Sequence, residues 1–205
     1  MTVDPRPQLI EAARLFYQRG WMVGTAGNIS AKANDDSFWI TASGKSKGKL
    51  QPKDFVRLNL QGALIESPIA QNRPSAEVSI HQTIYTLFPQ IKACFHGHSV
   101  EANLVSRWAI ADRLSLPALE MIKGLGIWDE NPDFFISVFK NHPQVPLIAQ
   151  EIRDRFSQTP PAIPALLIAD HGVTVWAESI DQATNYLEVA EYLFRYRIEA
   201  HKAGL

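Results

Sequence analysis

The chain is nearly without cysteine: among its 205 residues Cys94 stands alone, so no disulfide can form within it. That usage fits a reducing compartment and leaves the fold to be held by burial and hydrogen bonding. Long apolar runs are missing too. No stretch approaches the roughly 20 apolar residues that span a bilayer. The opening residues carry Asp4, Pro5 and Pro7 where a signal peptide needs an apolar core. The expectation is a cytoplasmic protein with no membrane partner. Charge excess is also absent: 20 basic against 21 acidic side chains leave a formal net charge of -1, with no Lys/Arg run. Nothing in that balance asks for nucleic acid as a partner. Repeats, low-complexity tracts and linker-like shifts in composition are lacking, so one domain covering residues 1–205 is expected. What remains is an ordinary globular composition, 46% hydrophobic and 20% charged, long enough for one packed core.

Leu9, Ala12, Ala13, Phe16 and Tyr17 recur at helical spacing, and Gly20 follows as a stop. Gly24 to Ser30 reads as a polar turn. Phe38 to Thr41 reads as a strand, and Phe55 to Leu60 with Ala63 to Glu66 as a hairpin around Gln61-Gly62. Ser75, a good N-cap residue, is expected to open a helix reaching Leu87. An apolar strand from Ile91 to Phe95 runs into His96-Gly97-His98, and a helix from Val100 to Trp108 follows. A further helix is expected over Ile148 to Phe156. A buried strand, Ala165 to Ala169, then leads into Asp170-His171-Gly172. The last helix, Ile180 to His201, is amphipathic. Leu187, Ala190 and Leu193 serve core or subunit contact, and Glu188, Glu191, Arg195 and Glu199 form a solvated face. Short strands mixed with helices imply an α/β sandwich whose sheet is not purely parallel.

His96 and His98 lie two apart at a strand end, so both imidazoles point the same way. His171 ends another strand and is likewise followed by glycine. Three neutral imidazoles make an open site for zinc or a similar divalent ion. Glu77 and Glu120 compete for the acid/base role beside such a metal, and spacing does not choose between them. Three segments could cradle an anion: Gly24 to Ser30, Thr41 to Lys45, and Arg73 to Ala76. None is a nucleotide-binding fingerprint. His81, His142 and His201 show no convergent partner, and Cys94 reads as a small buried hydrophobe.

Taken in order, Thr25-Ala26-Gly27-Asn28-Ile29-Ser30, Thr41-Ala42-Ser43-Gly44, Arg73-Pro74-Ser75-Ala76-Glu77, His96-Gly97-His98 and Asp170-His171-Gly172 resemble the class II aldolase/adducin family over almost the whole chain. The resemblance implies a three-layer α/β/α sandwich with a central, largely antiparallel sheet. It also implies a homotetramer with active sites near subunit interfaces, acting on a small phosphorylated sugar. One zinc ion per subunit would sit on His96, His98 and His171, and the phosphate on Asn28, Ser43, Gly44 and Ser75.

Glu120-Met121-Ile122-Lys123-Gly124, with Gly20-Trp21-Met22 and Ser43 to Gly48, is similar to the branch that dehydrates a methylthio ketose 1-phosphate in methionine salvage. That branch puts the acid/base role on Glu120 and Lys123 near the site, and Val78 departs from a cysteine found in some of its members. The fuculose- and rhamnulose-phosphate aldolases put the role on the position of Glu77 instead. The adducin head, a non-catalytic module, predicts loss of the metal histidines, and all three are present here.

Overall fold

The computed structural model describes residues 4–33, 36–128 and 134–205. Among them nine strands form one sheet: β1 (Asn28–Lys32), β2 (Ser37–Thr41), β3 (Phe55–Asn59), β4 (Leu64–Glu66), β5 (Ala93–Gly97), β6 (Arg113–Ser115), β7 (Phe135–Phe139), β8 (Ala165–Ile168) and β9 (Gly172–Ala177). Their order is β4-β3-β2-β1-β5-β9-β8-β7-β6. Every pairing is antiparallel except that of β7 with β8.

The period-2 alternation of a strand splits the apolar side chains between two cores. Ala93 and Phe95 of β5, Leu167 of β8 and Val173 and Val175 of β9 face one core. Cys94, Leu166, Ile168 and Trp176 face the other. The first is closed by α1 (Arg6–Gln18), α3 (Val100–Ser106) and α5 (Ile180–Ala203), the second by α2 (Val78–Leu87) and α4 (Val145–Gln158). The result is a three-layer α/β/α sandwich with a largely antiparallel central sheet, as the resemblance implied. No helix among the described residues is long and apolar enough to cross a membrane.

The expected first helix, the β3–β4 hairpin and the long final helix are all present. Ser179 caps α5 by accepting the Gln182 N–H at 3.1 Å. Other boundaries differ for physical reasons. The polar stretch read as a turn is strand from Asn28 onward, because its polar side chains find buried partners. The helix expected from Ser75 begins at Val78; the Ser75 hydroxyl accepts the Glu77 N–H in a turn instead. β6, β7 and β9 escape the sequence pattern, and β9 does so because all six of its residues are buried and show no alternation.

Glu191 also departs from expectation. It lies on α5 but is only 3% exposed, its carboxyl buried beside Ser99. Burial pushes its carboxyl up to about 8, the Ser99 hydroxyl beside it offsetting part of the shift and Glu101 adding to it. A carboxyl raised in the folded state binds its proton more tightly there than in the unfolded chain. Its contribution to stability is therefore full below the unfolded value near 4.5 and is lost as pH rises through about 8. Glu191→Gln is expected to melt well above the wild type at pH 8.5 and close to it at pH 4.5, each kcal/mol of relief appearing as roughly 2–4 °C. Equal melting temperatures at the higher pH would contradict a buried, neutral Glu191.

Candidate active site

The antiparallel register of β5 and β9 sets His96 opposite Thr174 and Gly97 opposite Val173. The carboxyl end of β5 therefore lies beside the turn from β8 to β9, which carries His171. Asp170 in that turn adopts φ +53°, a left-handed conformation. A Cβ on Gly172 would stand 2.1 Å from the Gly97 carbonyl oxygen, so only glycine allows the two segments to meet this closely. Gly27 plays the same part on the other side: with φ +74°, its Cβ would meet the His96 carbonyl oxygen at 2.8 Å.

Side chains lock these segments together. The His98 N–H donates to the Trp21 carbonyl at 2.7 Å. The Asn103 amide donates to the carbonyls of both Ser99 (2.8 Å) and His171 (3.0 Å), tying the two histidine loops to each other. His96 Nδ1 pairs with Thr174 Oγ1 at 2.8 Å, which leaves its Nε2 for the site.

Glu77, directly before α2, enters from the opposite layer. Its Oε1 lies 2.9 Å from His171 Nε2 and 3.8 Å from the Nε2 atoms of His96 and His98. One donor atom from each of the four residues falls within 4.8 Å of the others. The imidazoles meet edge to face, with centroids 4.6–5.0 Å apart.

Burial pushes His96 well below its ordinary value and His98 down to about 4, with Glu77 opposing the shift in part. Burial resists ionisation of Glu77, but the three neighbouring histidines outweigh it and hold the carboxyl well below the usual range. Neutral His96 and His98 and an anionic Glu77 are in the protonation states in which these groups ligate. His98 Nε2 is buried without a hydrogen-bond partner. Three imidazole nitrogens, that orphaned one among them, and a carboxylate fit a divalent metal ion.

The three segments expected to cradle an anion are tied to one another and, through Asn28, to Glu77. Ala42 bridges to Pro74 and the Ser43 N–H donates to the Arg73 carbonyl at 2.8 Å, setting Ser43 and Gly44 beside the segment that holds Ser75. The Asn28 amide donates to Glu77 Oε2. Lys47, buried and given no role of its own by sequence reasoning, donates to the carbonyls of Thr25 (2.6 Å) and Lys45 (2.9 Å), so it pins two of these segments. Burial lowers its ammonium to about 8, and Glu77 opposes that shift.

Glu120 and Lys123 lie elsewhere in character. They occupy a 3-10 turn, Glu120–Leu125, where they pair with each other at 2.7 Å; Glu120 is 85% exposed and is not one of the quartet. Sequence reasoning gave Asn103 and Thr174 no role and found no convergent partner for His81, whereas the structure pairs His81 with Ser30 and Asn28. The one available signal was the four-residue step from Glu77 to His81, which puts both on one helix face.

Residues 7–198 match the family described as the class II aldolase and adducin N-terminal domain. The chain belongs to that family. A methylthioribulose-1-phosphate dehydratase of Microcystis aeruginosa is 65% identical over 199 residues, covering 97% of both chains. One of Leptospira biflexa is 41% identical, covering 92% of this chain and 93% of its own. Among solved structures, YgbL from Escherichia coli superposes with a TM-score of 0.81 at 25% identity, over 95% of this chain and 88% of that one. An L-fuculose 1-phosphate aldolase, 21% identical, has a TM-score of 0.79 over 100% and 90% of the two chains and so shares the fold.

If the quartet is a metal centre, the purified protein should keep close to one divalent ion per chain through dialysis, and His98→Ala or His171→Ala should lose it. Elemental analysis decides this; full retention by both variants would rule out the assignment.

Proposed function

We propose that the chain is a metal-dependent hydro-lyase of methionine salvage. It removes water from 5-methylthioribulose 1-phosphate to give 2,3-diketo-5-methylthiopentyl 1-phosphate. The observation that carries this reading is the meeting of three imidazoles and a carboxylate with the segments expected to cradle an anion. The dehydratase names borne by relatives 65% and 41% identical over nearly the whole chain favour dehydration among the reactions such a site can support.

In this reading the ion is zinc, one per subunit, held by His96, His98 and His171. When bound it supplies Lewis-acid stabilisation of negative charge on the C2 and C3 oxygens of the substrate. Asn28, Ser43, Gly44 and Ser75 bind the phosphate and so fix the reacting carbons. The C3 proton is acidic because it neighbours the C2 ketone. As it leaves, its electron pair forms the C3–C4 double bond and the C4 hydroxyl departs as water. The resulting enol takes a proton at C4 and becomes the C3 ketone.

We assign proton transfer to Glu120, with Lys123 beside it. A carboxylate that exchanges protons with substrate needs an open face, and Glu120 has one. Glu77 is enclosed by the histidines and Asn28. We further assign the protein to the cytoplasm as a homotetramer whose active sites lie near subunit interfaces.

A second reading is retro-aldol cleavage of a ketose 1-phosphate with Glu77 as the base, and the seat of Glu77 within the quartet favours it. Product analysis on parallel variants separates the two. Glu120→Gln should retain metal and lose about 10²–10⁴-fold in diketone formation, the usual worth of a general acid/base. An undiminished rate in that variant, together with a dead Glu77→Gln that still holds metal, would move the role to Glu77. Release of dihydroxyacetone phosphate from fuculose or rhamnulose 1-phosphate would establish the aldolase.

A further inference from the structure

Behind the quartet a buried chain of hydrogen bonds runs from α2 through β1 to Glu77. Glu77, His81 and Tyr85 follow at four-residue spacing, so they share one face of the helix and its entry. Asn28 and Ser30 are two apart on β1, so they share one face of the sheet. The two periodicities interlock. Tyr85 Oη lies 2.7 Å from Ser30 Oγ, Ser30 Oγ 2.7 Å from His81 Nδ1, and His81 Nε2 2.5 Å from Asn28 Oδ1; Asn28 Nδ2 then donates to Glu77 Oε2. Tyr85, Ser30, His81 and Asn28 are all buried.

The carboxylate end sets the direction of the whole chain. An ionised carboxylate only accepts, so Asn28 must turn its N–H₂ towards Glu77 and its oxygen towards His81. That oxygen also only accepts, so the proton on His81 sits on Nε2. Burial lowers His81 to about 4, leaving it neutral, and its Nδ1 therefore accepts from the Ser30 hydroxyl. The Ser30 oxygen accepts from Tyr85 in turn. The competing Ser30 contact, to the Cys94 carbonyl, is longer at 3.3 Å.

We propose that His81 is a positioning residue: through Asn28 it holds Glu77 Oε2, so that Oε1 faces the nitrogens of His96, His98 and His171. This rests on the quartet being a metal centre. Without the His81 N–H, Asn28 Oδ1 is buried with no donor and the amide is free to rotate away from Glu77. The site then loses the orientation of its one anionic group.

The test compares His81→Leu with His81→Gln, whose amide N–H can replace Nε2–H. It measures zinc affinity by chelator competition and the absorption spectrum of bound cobalt(II). His81→Leu should bind zinc about 10–100-fold more weakly, the usual cost of losing an outer partner of a metal site, with a changed cobalt spectrum. His81→Gln should stay within a few-fold of the wild type. Wild-type affinity and spectrum in His81→Leu would overturn the proposal while leaving the metal centre intact. Failure of the wild type itself to take up either ion would overturn both.

Should His81→Leu not fold, nitrogen NMR of the wild-type imidazoles gives the same decision. A neutral ring protonated on Nε2, with zinc binding weakened by Ser30→Ala, supports the role. A ring protonated on Nδ1 ends it.

Discussion

The contact between Gly172 and the Gly97 carbonyl is the constraint on which the site depends. A side chain at position 172 would collide with that carbonyl at 2.1 Å, so the turn bearing His171 can close on the strand bearing His96 only because glycine stands there. That closure brings histidines 75 residues apart to a 3.5 Å approach of their Nε2 atoms. The antiparallel pairing of β5 with β9 then holds the approach in register, and the Asn103 amide clamps both loops from α3. The sheet and its two cores serve as the frame that makes this meeting rigid.

Electrostatics divides the labour within the quartet. Burial keeps His96 and His98 neutral, which leaves their lone pairs available for a metal. The same burial resists ionisation of Glu77, and the histidines around it lower its carboxyl against that resistance. Lys47 adds a buried cation bonded to the carbonyl oxygens of Thr25 and Lys45. On the proposed reading such a site would take a cation at its centre and an anion at its edge, as a metal-dependent enzyme acting on a phosphate ester requires.

Much of this was legible in the sequence where a local signal existed. Histidines at the ends of apolar strands, His96 and His171 each followed by glycine, pointed to convergence, and the helical spacing of α1 and α5 was plain. Legibility failed where a residue's partner is distant in sequence. Asn28 and Ser30 look like turn residues because they are polar, yet they belong to a strand because α2 satisfies them inside the protein. Glu191 sits in a charged stripe, and only the packing of α3 against α5 reveals its burial. β9 carries no alternation because both of its faces are covered. Spacing could not rank Glu77 against Glu120, since the meeting of Glu77 with the histidines is set by the stacking of layers rather than by neighbours along the chain.

The most direct test is turnover of 5-methylthioribulose 1-phosphate by protein stripped of metal and then reconstituted, followed by phosphorus NMR. The account predicts no reaction from the stripped protein and conversion to a single diketone phosphate once one equivalent of zinc is restored. Unchanged turnover in the stripped protein, or no diketone from the reconstituted one, would contradict it.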